Sequence, residues 1–463
     1  MVKRIAIVLI ACCTLALVTS YLLSKTGPAP LTSISVNSPD SVVQPLEITL
    51  TDSSNVYYLS PLGDDIKGNG SIDSPWFTLN KAWEVVNAGD IVYMRGGTYH
   101  YSTGQRLHNK SGTSENRIML WAMPGEQPII APSDTYNDTR GIDVFGDFIH
   151  IKGLEITGFS QRTSNALYYG IVAENSNFNI YEQLKVHDNG FGLSIGSDSG
   201  DNLVLNSDFY NNADPLSSFG GNVPWGGADG ITIRSSNVSK TNTISGCRVW
   251  WNSDDGVDLF ENQGLIIIEN CWAFWNGYVP ETFNPAGNGD GFKLGITLTD
   301  QTQSVKRILR NNLAFENRTR GFNQNNARCI THLFNNTSYN NANVGSPARS
   351  FDFWNGTAAT EARNNLDFKH SLSALFNAQA ILSHNSFLID GSVNYSYLLT
   401  ADDFVSIDNT GVTGSRDRDG TLPELKFLQL SKGSDLIDRG TNVNTPFFGS
   451  APDIGAFESN YNK

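Results

Sequence analysis

The chain has 463 residues with 43 Gly, 17 Pro and only 17% charged residues, a mixture suited to many short strands and tight turns. Its formal net charge of −14 excludes nonspecific nucleic-acid binding, because a polyanion is repelled. A polyanionic substrate would need positive charge placed locally, by a metal or by a few Lys and Arg.

At the N-terminus, Lys3 and Arg4 precede an apolar run from Ile5 to Val18, extended by Tyr21, Leu22 and Leu23. Residues 1–25 therefore read as an export segment. Leu9-Ile10-Ala11-Cys12 resembles a lipoprotein processing site that would acylate Cys12; the alternative is an uncleaved membrane anchor, just long enough to span. Either way the protein is expected outside the cytoplasm (secreted, periplasmic or at the outer surface), with any membrane attachment confined to the N-terminus. Residues 26–54, rich in Ser, Pro and Thr, read as a flexible linker, and residues 55–463 as one domain acting as a monomer. Beyond Cys12 and Cys13, only Cys247, Cys271 and Cys329 remain, too few for a disulfide scaffold.

Thr78–Val86 carries apolar residues at Leu79, Ala82, Trp83 and Val86, the spacing of a short amphipathic helix. Such a helix would cap the open end of a sheet stack. Strand-like runs follow, first Ile91–Met94 and then the turn Arg95-Gly96-Gly97.

Six segments next share one pattern that ends in Asn189, Asn212, Asn252, Asn276, Asn317 and Asn341, at intervals of 23, 40, 24, 41 and 24 residues. A unit of 23 or 24 residues is one coil of a right-handed parallel β-helix, and the longer intervals are coils carrying insertions at 213–228 and 277–289. The fold class expected is thus all-β, a solenoid with a short N-terminal capping helix. The recurring Asn would stack its amides up the axis.

After each Asn comes a Gly-led strand. Leu193, Ile231, Val257, Phe292 and Phe322 are expected to point inward, and Ser194, Thr232, Asp258, Lys293 and Asn323 to share one outward column. Asp229, Asp254, Asp255 and Asp290 precede the same glycines, so three coils gather several carboxylates and one lysine on a small patch. Crowded carboxylates repel unless protonated or bound to a cation, and an all-oxygen cluster without His or Cys suits Ca²⁺ better than zinc. A solvated acidic face with an ion-paired lysine is the structural alternative.

The stretches GGADGITI, NSDDGVDLF, NCWAFWNGY, GNGDGFKLG and RGFNQNN resemble polysaccharide lyase family 9, whose members include pectate lyases. GDIVYMRGGTY at Gly89–Tyr99 and GSAPDIGAFE at Gly449–Glu458 extend the resemblance, though they bear on fold more than activity. The resemblance implies β-elimination on a uronate-containing acidic polysaccharide, pectate first. It implies calcium held by Asp229, Asp254, Asp255 and Asp258, with Lys293 as the base. A lysine base must be neutral to act, which implies an alkaline optimum.

Other features stay open. Cys247 and Cys271 occupy one repeat position in adjacent coils, as a disulfide or as stacked thiols. Arg320 and Arg328 flank GFNQNN, as substrate ligands or as ion-paired residues, while Trp250, Trp251, Trp272 and Trp275 read as packing residues. The rival functions are a β-helix glycoside hydrolase using Asp254 and Asp255, a uronate epimerase, or a calcium-stabilised binding or adhesin solenoid.

Overall fold

Each repeat unit folds into three short strands separated by tight turns, and each strand pairs in parallel with its counterpart one coil further on. Ile180 aligns with Leu203, Val186 with Phe209, and Leu193 with Ile231. A computed structural model describes residues 54–461 apart from 219–222, 343–348, 355–357, 370–373, 391–393 and 397. Three parallel sheets result, of twelve, ten and ten strands. The expectations for residues 1–25, and all but the last residue of the 26–54 linker, lie outside the described residues. Among the described residues, no helix is long and apolar enough to cross a membrane.

The capping helix is present as α1, Leu79–Val85. Thr78 caps its N-terminus by accepting the amide of Lys81 at 3.1 Å. Leu79, Ala82 and Trp83 bury against the first coils, where an open stack would otherwise leave apolar side chains in water. From there the core runs along the solenoid axis, with Leu193, Ile231, Val257, Phe292 and Phe322 all fully buried.

The asparagine column forms a continuous ladder. Each Nδ2 donates to the Oδ1 of the next coil, at 3.3 Å from Asn189 to Asn212, then at 2.9, 3.0, 2.8 and 2.9 Å up to Asn341. Each Oδ1 also accepts the backbone amide of the Asn below it. The glycines belong to the same unit. A Cβ on Gly256 would lie 2.9 Å from Nδ2 of Asn276 and 2.6 Å from the Gly291 carbonyl, with matching contacts at Gly230 and Gly291. The ladder thus reaches its hydrogen-bond distances only where the facing strand lacks a side chain.

A second column, at another turn, joins Asn312, Asn336, Asn365 and Asn385 in the same way. Cys271 precedes Asn312 on this column, and its amide donates to the Asn312 Oδ1 at 3.0 Å, while the Cys247 amide points at Cys271 Sγ 3.4 Å away. Cys247, Cys271 and Cys329 are free, buried thiols. The two stacked thiols therefore extend a ladder rather than close a disulfide.

The coils end at the strand Ile381–Ser383, and the residues from 398 onward add no strand to the three sheets. They fold back as an irregular strap over the outer face of the third sheet. There Tyr210, Trp250, Phe274 and Phe315 stack with centroids 4.3, 5.6 and 4.6 Å apart. Phe404, Val412, Phe427, Leu430 and Ile454 cover that stack. Asp208 pins the strap by accepting from both Arg248, at 2.8 and 2.7 Å, and Arg416, at 2.8 Å, while Arg248 Nη1 donates to the carbonyls of Val412 and Gly414.

Asn336→Ala tests the ladder away from the site strands. It removes the acceptor used by the Asn312 amide and side chain, and the donor used by the Leu309 carbonyl and Asn365. Unmet buried groups of this kind cost about 1–3 kcal/mol each. Chemical denaturation should show a loss of about 3 kcal/mol, whereas added reductant should leave the melting temperature of the parent protein unchanged.

Candidate active site

Register places the site. Thr232 aligns with Asp258, Asp258 with Lys293, Lys293 with Asn323, and Asn323 with Asp352, all on the outward face of one ten-stranded sheet. The expected column is therefore present, on strands about 4.8 Å apart. Three residues before the column residue of each coil, Asp229, Asp255 and Asp290 precede the ladder-facing glycines.

Those aspartates climb the coils as the asparagines do. The Asp255 amide donates to Asp229 Oδ1 at 3.1 Å, and the Asp290 amide donates to Asp255 Oδ1 at 2.7 Å. Asp229 and Asp255 thus each commit one oxygen to the amide of the next coil and turn the other toward the column, whereas Asp290 accepts from the Arg320 and Asn323 side chains. Thr232 Oγ1 donates to Asp229 Oδ2 at 2.8 Å. Lys293 Nζ donates to Asp255 Oδ2 at 2.8 Å and to Asp258 Oδ2 at 3.1 Å. One oxygen from each of Asp229, Asp255 and Asp258 lies within 4.8 Å of the others, and all three residues are buried.

Charge is unbalanced here. Burial, then repulsion from Asp258, Asp254 and Asp255, pushes Asp229 well above the usual carboxylate range against the pull of Lys293. Burial and Asp254 do the same to Asp255. Burial opposes the charge on Lys293, but Asp255 and Asp258, then Asp254 and Asp229, outweigh it and hold the ammonium well above the ordinary lysine range. Lysine and carboxylates both hold protons tightly for one reason: a single ammonium faces a surplus of buried acid. A hard divalent cation fits this donor set, whose oxygens carry more negative charge than the one ammonium offsets.

Asp254 stands slightly apart. Its Oδ1 accepts the Asn288 amide and its Oδ2 accepts Asn288 Nδ2 at 3.3 Å, so the 277–289 insertion grips it. Gly287 permits the approach: a Cβ there would lie 2.3 Å from Asp254 Oδ1 and 2.4 Å from the Trp225 carbonyl. Burial lifts Asp254 to about 7, opposed by Lys293 and the Asn288 amide. The structure thus groups three of the four expected aspartates by their oxygens and places the fourth beside them, turned to the loop. Thr232 was expected on the outward column, but its bond to Asp229 was not, and Asn288 had no signal in the sequence because its contact is made by a loop outside the repeat.

A cleft of about 200 Å³ opens beside Lys293, between Asn288, Asp290, Arg320, Asn323 and Trp354. Arg320 is ion-paired, with Nε 2.8 Å from Asp352 and Nη1 3.4 Å from Asp290. Arg328 lies 3.5 Å from Asp300, outside the cleft. Trp250 and Trp272 are buried under the strap, and Trp251 packs against Trp275 and Phe283 at 5.2 and 5.0 Å. All four tryptophans are packing residues, as expected.

Comparison with known proteins bears on the fold and the family. The family described as Pel9A-like, right-handed beta-helix region, matches residues 57–370. Pectate lyase L of Dickeya chrysanthemi is 34% identical over 88% of this chain and 91% of its own length. The crystal structure of pectate lyase Pel9A superposes with a TM-score of 0.71 at 33% identity, covering 89% of this chain and 98% of that one. A rhamnogalacturonan lyase structure superposes with a TM-score of 0.67 at 30% identity, covering 82% and 97%.

The raised carboxyls have a consequence for stability. A carboxyl that keeps its proton to about 7 when folded, against 3.8 in the open chain, loses stability as pH rises between those values. In chelator, the melting temperature should therefore fall from about pH 4 to pH 7, and Asp254→Asn should flatten the upper part of that fall. A fall equally steep in the variant would assign the pH dependence to other groups.

Proposed function

We propose that this chain, which belongs to the Pel9A-like right-handed β-helix family and is a polysaccharide lyase, cleaves a uronate polymer, pectate or polygalacturonate, by calcium-assisted β-elimination with Lys293 as base. The observation that carries the reading is the contact of one buried lysine with two members of a three-aspartate oxygen cluster. The names borne by the relatives, pectate lyase L and pectate lyase Pel9A, support the substrate class. A hydrolase, an epimerase or a binding solenoid has no comparable support.

Asp229, Asp255 and Asp258 would hold the calcium, with Asp254, which adds to the same field, completing the set of four. Calcium bound there supplies neutralisation of a uronate carboxylate and of the negative charge that develops beside it during elimination. Lys293 takes the proton from C5 of the uronate, and the glycosidic oxygen on C4 departs with the bond pair and takes up a proton from water, leaving a C4–C5 double bond. Asp255 and Asp258 restrict the lysine rotamer, so Nζ is aimed before substrate arrives. The same carboxylates hold the proton on Nζ, so the neutral base forms only toward alkaline pH. Asn323 lies next on the column and presents an uncharged amide beside the base, with its Nδ2 donating to Asp290 at 2.5 Å. Residues 1–25 are proposed to export the enzyme to its polymer.

Ultraviolet absorbance of unsaturated uronates on a panel of acidic polysaccharides is the direct test. Polygalacturonate with calcium should give a steady rise that chelator abolishes and that strengthens toward alkaline pH. Lys293→Ala should lower kcat by at least about a thousandfold while calcium still raises the melting temperature. New reducing ends without the absorbance would overturn elimination in favour of hydrolysis.

A further inference from the structure

Four arginines stand on the outward face of the sheet that carries the site: Arg106, Arg140, Arg234 and Arg320. Three are committed to carboxylates, Arg106 to Asp138, Arg140 to Asp143 and Glu174, and Arg320 to Asp352 and Asp290. Arg234 is exposed, and among the described residues no ion pair or hydrogen bond holds it. Its guanidinium rests over the Phe260 ring, 5.1 Å from the centroid.

The place of this unspent charge is telling. Arg234 lies two residues beyond Thr232 on the same strand and face, one coil before Asp258 and two before Lys293. An arginine so near an acid surplus would ordinarily swing in to pair with it. Contact with Phe260 holds it out by a cation–π attraction that leaves its N–H donors free. Its neighbour on the preceding coil is Gly196, where a Cβ would meet nothing within 4 Å. Open space therefore adjoins the guanidinium. Beyond Gly196 the same register continues to Glu174, whose charge is already engaged by Arg140 at 3.4 Å.

We propose that Arg234 anchors the carboxylate of a second uronate, about two sugars along the polymer from the residue that reacts at Lys293, so that the site favours an unesterified uronate at that position. This rests on the lyase reading above. A planar guanidinium grips a carboxylate through two parallel hydrogen bonds, and it grips a methyl ester far less well. Coils repeat at about 4.8 Å, close to the advance of a polymer per pyranose, so a chain lying along the sheet offers successive carboxylates to successive coils. In a protein of net charge −14, such an anchor also supplies attraction that the acidic cluster does not.

The test uses the full chain and its Arg234→Ala and Arg234→Lys variants, with Arg418→Ala, an exposed arginine on the strap, as control. Rates of unsaturated-product formation are measured on polygalacturonates of graded methyl esterification. Arg234→Ala should raise KM on the unesterified polymer by about tenfold, with kcat changed less than about twofold. Arg234→Lys should fall between, and the preference of the parent enzyme for unesterified polymer should shrink in Arg234→Ala. An unchanged KM, or a loss carried by kcat alone, would overturn the anchor while leaving the lyase standing. If the parent enzyme forms no unsaturated product on any polymer, the lyase reading fails. The anchor is then judged by migration through gels containing polygalacturonate, where equal retardation of the parent and Arg234→Ala overturns it.

Discussion

A buried carboxamide must fill its hydrogen bonds or cost the fold dearly, and in this protein that demand sets the register of everything else. Asn252 meets it by donating to Asn276 and to the Phe209 carbonyl while accepting from Asn212. Contact at that distance requires the facing strand to come close, which is why Gly230, Gly256 and Gly291 stand where they do. Once the glycines are fixed, the residues on either side of them are fixed as well. Asp229, Asp255 and Asp290 stack on one side, and Thr232, Asp258 and Lys293 on the other. A ladder that carries no chemistry thus positions the groups that do.

The site differs from other places where charge is buried. Asp208 receives Arg248 and Arg416, Glu269 receives Arg310, and the buried Arg307 is met by backbone carbonyls. Between Asp229 and Lys293 the charge is not matched, and several carboxyls are driven to hold protons at a pH where carboxylates are ordinarily bare. Unbalanced charge of this kind weakens a fold unless something arrives to balance it.

Sequence made much of this legible, and unevenly. The Asn and Gly columns could be read because the same residue must recur in every coil for the ladder to form, and the core column of Leu193, Ile231, Val257 and Phe292 followed from alternation. The aspartates and Lys293 were legible once that register was known. The orientation of Asp254 was not, since it is set by the backbone of Gly287 and Asn288 in a loop outside the repeat. Arg234 gave no signal either, because an exposed arginine at the end of a strand looks the same whether or not a partner stands near. Cys247 and Cys271 left two readings, and the amide geometry of Asn312 decided between them. The strap escaped notice because it has no period: its hold on the coils runs through single contacts such as Gln183 to the Asp419 carbonyl.

That strap has a consequence for the order of events in the life of the chain. A solenoid can in principle condense coil by coil as it emerges, each turn templating the next. Here the outer wall around Trp250 and Phe274 is sealed by residues well over a hundred positions later, through Arg416 and its neighbours. Until the strap is delivered, an aromatic stripe stands open to water along the third sheet. Sealing is therefore registered chemically: a chain that has built the stripe but lacks the strap carries a sticky flank, open to proteases and to other unsealed chains.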